Sequence, residues 1–128
     1  MAQIPEIKGS SVKKLLRKRA DSSHKGDNGR LLIVGGSAEY HGAPILAAKA
    51  ALRAGADLVY LYVPACNYDV TRAASPDFIV QKFEGDYFGA DAASAAIEFG
   101  KTCDAALVGP GFGRVDSGAG EAVEGAIE

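Results

Sequence analysis

The sequence predicts an α/β fold, a layered and mainly parallel sheet with helices on both faces. Three observations predict it. Short runs that are apolar at every position, rather than at every second one, recur along the chain and suit strands covered on both faces. Stretches of helical composition separate these runs, the alternation of a βα chain. Two of the runs stop at glycine-bearing loops that lead into a helix, which is where open α/β sheets gather their ligands. Crossovers between such strands are expected to be right-handed.

The elements follow in order. In "VKKLLRKR", Val12, Leu15 and Leu16 recur at helical spacing with cations on the other faces, and Ser10 or Ser11 would start that helix. Its leucines are expected to pack on the domain while the cations stay solvated. Residues 1–22 thus read as a basic helical arm and 23–128 as the α/β core. "LLIV" (Leu31–Val34) is the first strand, "LVYLYV" (Leu58–Val63) the second, "FIV" (Phe78–Val80) a weaker third and "AALV" (Ala105–Val108) the fourth. Helices are expected at Ala43–Ala54, Cys66–Ala74 and Ala90–Phe99.

The first long helix carries Pro44 in its first turn, where a missing N–H costs nothing, and Gly55 just past its end. Ala47, Ala48, Ala50, Ala51 and Ala54 make it smooth enough to lie close to the sheet or to a second subunit. A last helix, capped by Asp116 or Ser117, lines up Ala119, Ala122, Val123, Ala126 and Ile127 on one face. That face and the sheet edge beside it would be exposed, so self-association or a missing partner is expected.

Bulk properties set the class. The chain has 128 residues, 48% hydrophobic and 23% charged, which fits one folded domain and excludes a disordered segment. No apolar run approaches the ~20 residues of a membrane span. No apolar stretch with a small-residue cleavage site opens the sequence. Cys66 and Cys103 form no CxxC pair and read as reduced thiols, so a cytoplasmic protein without a membrane partner is expected. Residues 1–30 hold eight Lys/Arg against three Asp/Glu, and residues 31–128 hold six against thirteen. One short basic helix without interleaved aromatics is weak support for nucleic-acid binding, and none is expected.

The two glycine loops are "GGSAEYHGAP" (Gly35–Pro44) and "GPGFGRVDS" (Gly109–Ser117). Glycines at strand ends let the backbone approach a ligand, and the following helix N-termini offer N–H groups to anions. Together they suit a phosphorylated ligand. Neither is a standard nucleotide motif: GxxxxGK[ST] is absent, and Arg114 stands where GxGxxG needs glycine. Lys25 and Arg114 are candidate phosphate contacts, and Arg30 flanks the first strand. Asp27 reads as a turn residue beside Asn28 and Gly29. His24 and His41 lack ligands at metal spacing, so no metal site is assigned. No catalytic set of Ser–His–Asp, Cys–His or paired carboxylates can be assembled.

The chain resembles the N-terminal part of the ADP/ATP-dependent NAD(P)H-hydrate dehydratases of the ribokinase-like superfamily. The resemblance rests on "SHKGDNGRLLIVGGSAEYHGAPILAAKAALRAGADLVYLYVP" (Ser23–Pro64) and "CDAALVGPGFGR" (Cys103–Arg114). The ordered set HKG, GGS, GAP, RAGA and GPGFG is far more specific than either loop. It implies an incomplete ribokinase-like domain and a lyase that repairs hydrated NADH or NADPH. Water would be removed at the expense of ATP or ADP with Mg2+, the hydroxyl leaving as a phosphate ester. By motif, Ala43 and Gly111 match positions that contact the hydrated dinucleotide, and Gly36, Ser37, Gly109 and Gly113 are their loop neighbours.

The chain also departs from the family. Members are about twice as long, and their second half carries a PHPGE-like segment, a Lys-Gly nucleotide loop and a GTGD or GAGD motif with the catalytic Asp. "GADA" (Gly89–Ala92) and "GAGE" (Gly118–Glu121) are poor echoes of that motif. The resemblance therefore implies a substrate-side portion, inactive alone, whose nucleotide site lies largely elsewhere. Its partner would be a second copy or a complementary C-terminal half. Two other readings stay open: a fragment of another ribokinase-like small-molecule or vitamin kinase, and a non-enzymatic binding or assembly module.

Overall fold

The computed structural model describes residues 7–15, 18–115 and 117–124. Helix α1 (Gly9–Leu15) leads to β1 (Arg30–Val34), α2 (Gly42–Ala54) and β2 (Leu58–Pro64). A 3-10 turn (Ala65–Asn67) and α3 (Tyr68–Ala73) follow, then β3 (Phe78–Phe83), α4 (Ala90–Gly100), β4 (Ala105–Val108) and α5 (Ser117–Glu124). The four strands form one parallel sheet in the order β3-β2-β1-β4. Ile33 of β1 sits between Leu61 of β2 and Leu107 of β4.

The apolar runs behave as expected at the sheet centre. Leu32 and Val34 enter one core with Phe83, Phe88, Phe112, three alanines of α4 (Ala92, Ala93, Ala96) and Ala119 of α5. Ile33 enters the other with Val59, Leu61, Val63, Phe78 and Ala48 of α2. Helices α2 and α3 thus cover one face of the sheet, and α4 and α5 the other. The smooth α2 packs intrachain through Ala47, Ala48 and Ala51. It ends in a Schellman motif: Gly55, at φ 108°, donates to Leu52 and Ala56 donates to Ala51.

Three expectations need correction. Helix α1 buries none of its residues and Leu15 is 82% exposed, so its apolar positions do not seat it on the core. The chain just beyond is tied down by a cation: the Arg19 guanidinium donates to Asp57 Oδ1 at 2.6 Å and to the Gly55 carbonyl at 2.8 Å. The predicted helix Cys66–Ala74 is split, because the chain leaves β2 at Pro64 through a 3-10 turn before α3 begins. Strand β4 is not covered on both faces; all four of its residues are exposed. Its apolar run satisfies β1 on one edge and leaves the other edge without a neighbour among the described residues. Asp116 and the Ala122, Val123, Ala126 and Ile127 face expected for the last helix lie outside what is described there, as does Leu16.

Candidate functional site

Because the strands are parallel, the loops after Val34 and Val108 open at the same edge of the sheet. They are also bonded to each other. Gly36 donates its N–H to the Pro110 carbonyl at 2.9 Å, and Gly109 donates to the Val34 carbonyl at 3.0 Å. A Cβ on Gly35 would lie 2.4 Å from the Pro110 oxygen, so glycine is required there by close approach. The two loops therefore share one edge of the sheet, as expected, and pack directly on each other.

The first loop is tightly folded. Ser37 is fully buried, and its Oγ and carbonyl both accept from the Tyr40 N–H, at 3.3 and 3.2 Å. Ser37 N–H returns a bond to the Tyr40 carbonyl at 3.0 Å. Asn67, buried just after β2, donates its Nδ2 to the Ser37 carbonyl at 2.9 Å. The second loop passes close by: a Cβ on Gly111 would meet the Tyr40 carbonyl at 3.2 Å and Ala43 Cβ at 3.3 Å. One on Gly113 would meet Ser37 Oγ and the Tyr40 ring at 3.4 Å. Gly36, Gly109, Gly111 and Gly113 all have positive φ, a conformation that L side chains rarely adopt. Gly36, Ser37, Ala43, Gly111 and Gly113 thus meet around Tyr40, and Gly109 anchors the root of the second loop on Val34.

A third wall comes from the segment between β3 and α4. Ala38 donates to the Asp86 carbonyl at 2.9 Å, and the Tyr87 hydroxyl donates to Glu39 Oε1 at 2.7 Å. That hydrogen bond holds the Glu39 carboxyl below the usual carboxylate range and raises the Tyr87 phenol. The positive charge of Arg114 adds a smaller contribution in the same direction to the Glu39 shift. Phe88 stacks on Phe112 at 4.5 Å and Phe83 meets Phe88 edge-on at 5.8 Å, fixing the second loop against β3.

The other candidates separate. Lys25 is exposed and adjoins Gly26, whose N–H is bonded to Asp57 at the start of β2. That is the amino edge of the sheet, away from the glycine loops, so within one chain Lys25 does not join Arg114 at a phosphate. Asp27 takes the turn role expected of it, accepting the His24 N–H at 2.7 Å. Tyr40, Asn67 and the Glu39–Tyr87 pair were not singled out in the sequence. Asn67 had a signal: it is a polar residue just past the carboxyl end of β2, the same edge as both loops.

The arrangement offers backbone rather than acid–base chemistry. The first-turn N–H groups of α2, at Gly42 and Ala43, have no intrahelical acceptor and directly follow the first glycine loop. Among the described residues no cluster of three His, Cys, Asp or Glu could hold a metal ion.

A parallel sheet in this order, with two bonded glycine loops at its carboxyl edge, places the chain in the ribokinase-like class of α/β proteins. It superposes on a ribokinase-like superfamily protein from Enterococcus faecalis with a TM-score of 0.67 and 25% identity, over 85% of this chain and 36% of that one. A Streptococcus mutans protein of hypothetical function gives 0.73 and 30% identity, over 95% and 42%. Within that class, the chain belongs to the NAD(P)H-hydrate dehydratase family, whose model matches residues 31–127.

Among curated relatives, the bifunctional NAD(P)H-hydrate repair enzyme of Methanothermobacter thermautotrophicus is 48% identical over 77% of this chain and 19% of its own length. The ADP-dependent (S)-NAD(P)H-hydrate dehydratase of Nitrosopumilus maritimus is 56% identical over 54% and 24%. The ATP-dependent (S)-NAD(P)H-hydrate dehydratase of Caenorhabditis briggsae is 40% identical over 79% and 31%. The chain thus spans between 19% and 31% of these three proteins.

Proposed function

We propose that this chain is the substrate-side portion of a cytoplasmic, ADP- or ATP-dependent NAD(P)H-hydrate dehydratase, a lyase of nicotinamide nucleotide repair. The observation that supports the reading is the Gly36–Pro110 hydrogen bond, which brings the two glycine loops together at the carboxyl edge of the sheet. Ala43 and Gly111 would contact the hydrated dinucleotide, with Gly36, Ser37, Gly109 and Gly113 shaping the backbone around it. Arg114 would meet a phosphate at the rim. The nucleotide, with Mg2+, would supply the phosphoryl group that turns the substrate hydroxyl into a leaving group. The residues described here bind and orient; they include no positioned base for that hydroxyl.

The chain alone is therefore expected to bind dinucleotide weakly and to be inactive, because loss of a general base alone costs about 10²–10⁴-fold. The test is incubation of the pure 128-residue protein with hydrated NADPH, ATP or ADP and magnesium, followed at the NADPH absorbance, beside a vitamin panel for kinase activity. Binding of hydrated NADPH without turnover supports the reading. Rapid nucleotide-dependent recovery of NADPH would show that Lys25, Asp27, His41 or Arg114 performs chemistry. Phosphorylation of a vitamin would move the chain to the kinases of the class.

A further inference from the structure

We infer that Glu39 and Arg114 together read a 5′-phosphorylated ribose: the Glu39 carboxylate accepts from the vicinal hydroxyls of the sugar, and the Arg114 guanidinium donates to its phosphate. The inference rests on the proposed substrate-side reading and names two residues that fix the sugar beside the nicotinamide ring.

Three segments of the chain meet at this point. Glu39 lies in the first glycine loop, Tyr87 between β3 and α4, and Arg114 at the end of the second loop. The first two segments are tied twice, by Ala38 N–H to the Asp86 carbonyl at 2.9 Å and by the Tyr87 hydroxyl to Glu39 Oε1 at 2.7 Å. The third joins through a parallel β-bridge between Phe88 and Val115. One step back from that bridge, Tyr87 and Arg114 are neighbours on segments about 4.8 Å apart. A Cβ on Gly113, just before Arg114, would lie 3.4 Å from Ser37 Oγ and from the Tyr40 ring, so the two loops are also in contact here. Behind the Tyr87–Glu39 hydrogen bond, which is the leading cause for both groups, the charge of Arg114 acts on the Glu39 carboxyl and on the Tyr87 phenol.

The chemistry of the pair selects the ligand. Glu39 and Arg114 are both exposed. Tyr87 occupies only Oε1 of Glu39, and among the described residues no hydrogen bond takes Oε2. Nor does Arg114 have an ion-pair partner among them. A site for phosphate alone has no use for an ionised carboxylate, which would only repel it. A carboxylate accepts and cannot donate, so it suits a pair of hydroxyls, as the acidic residue of dinucleotide folds suits ribose. A guanidinium suits phosphate oxygens. The order of residues is also the order of the ligand. Ala43 and Gly111 lie against Tyr40, Glu39 is the next residue back and reaches Tyr87, and Arg114 adjoins Tyr87. Ring, ribose and 5′-phosphate follow in the same sequence, which assigns Glu39 to the ribose that carries the nicotinamide.

The test titrates the 128-residue protein with ribose 5-phosphate, 2-deoxyribose 5-phosphate and inorganic phosphate, read by amide NMR shifts at Gly111 and Gly113. The parent should bind ribose 5-phosphate about tenfold more tightly than the deoxy sugar. Glu39→Gln should remove that preference while binding inorganic phosphate as tightly as the parent or more so, since a repelling charge is gone. Arg114→Ala should weaken all three. Both variants should keep the parent's melting behaviour. Hydrated NADH and hydrated NADPH should lose affinity alike in Glu39→Gln, because the nicotinamide ribose is the same in both. A loss confined to hydrated NADH would overturn the placement and move Glu39 to the adenosine ribose. Equal binding of the two sugar phosphates by the parent, an unchanged preference in Glu39→Gln, or a parallel loss of inorganic phosphate would overturn the inference. Should hydrated NADPH not bind the parent, the proposed function falls, and the sugar-phosphate comparison still decides the role of Glu39.

Discussion

Replacing Gly35 by alanine should damage the cleft from the inside. The new methyl would sit 2.4 Å from the Pro110 carbonyl oxygen, 3.0 Å from Pro110 Cγ and 3.2 Å from Pro44 Cβ. None of these is the free end of a flexible side chain, so a backbone must move. Overpacking of this kind costs about 1–3 kcal/mol. The shift would also strain the adjacent Gly36–Pro110 hydrogen bond of 2.9 Å, worth about 0.5–1.5 kcal/mol. Together the loss is about 2–4 kcal/mol. At roughly 3–5 °C per kcal/mol for a chain of this size, the melting temperature should fall by about 6–20 °C. Gly42→Ala is the control, since a Cβ there meets nothing within 4 Å, and it should stay within about 0.5 kcal/mol. Thermal unfolding by circular dichroism reads both. A Gly35→Ala melt within 2 °C or so of the parent would refute the view that the two loops are in fixed contact.

Other substitutions test neighbouring features. Gly111→Ala, at φ 77° and against the Tyr40 carbonyl and Ala43, should cost about 1–2 kcal/mol in backbone strain and weaken dinucleotide binding measured by calorimetry. Asp57 accepts from Asn28 Nδ2, Asn28 N–H and Gly26 N–H, and those bonds hold its carboxyl below the usual range. Its stabilisation is thus present above the unfolded pKa of about 3.9 and is lost as pH falls through the depressed folded value. The gap in melting temperature between the parent and Asp57→Asn should be open at pH 6–7 or so and close below about pH 4; a gap independent of pH would refute this. Tyr87→Phe removes the main cause of the Glu39 shift, so the Glu39 carboxyl should titrate higher in the variant by NMR. An unchanged titration would mean the pair does not form in solution.

Much of the framework was legible because the signals are local. Glycines at Gly35, Gly36 and Gly109 mark where β1 and β4 end, and Gly55 marks the end of α2 through its own φ. Lateral arrangement was not legible. The run "AALV" carries the composition of a covered strand, but composition states what a strand is suited to, not which neighbours are there; hence the exposure of β4. The same limit applies to Lys25, which is close to β1 in sequence yet sits at the opposite end of the sheet from Gly36. Tyr40 and Asn67 acquire meaning only when β1, β2 and β4 stand side by side, which no spacing along the chain encodes. Helix α1 shows the converse case: its apolar spacing is real, but too few of its side chains are large enough to hold a seven-residue helix on the core.

The backbone junction between the loops also sets the order in which the cleft can come into being. At the far end of the same strand pair, Arg30 N–H reaches Asp104 across a separation of 74 residues. Closing a segment of that length costs about 4 kcal/mol of chain entropy before any contact repays it. Strands β1, β2 and β3 pair through short connections and can assemble first, whereas β4 must return past β2 to the far edge of β1. Until it does, the first loop has no Pro110 carbonyl to accept the Gly36 N–H. In refolding, dinucleotide binding should therefore appear together with amide protection of β4, in the last phase, so that the ligand reports on completion of the sheet.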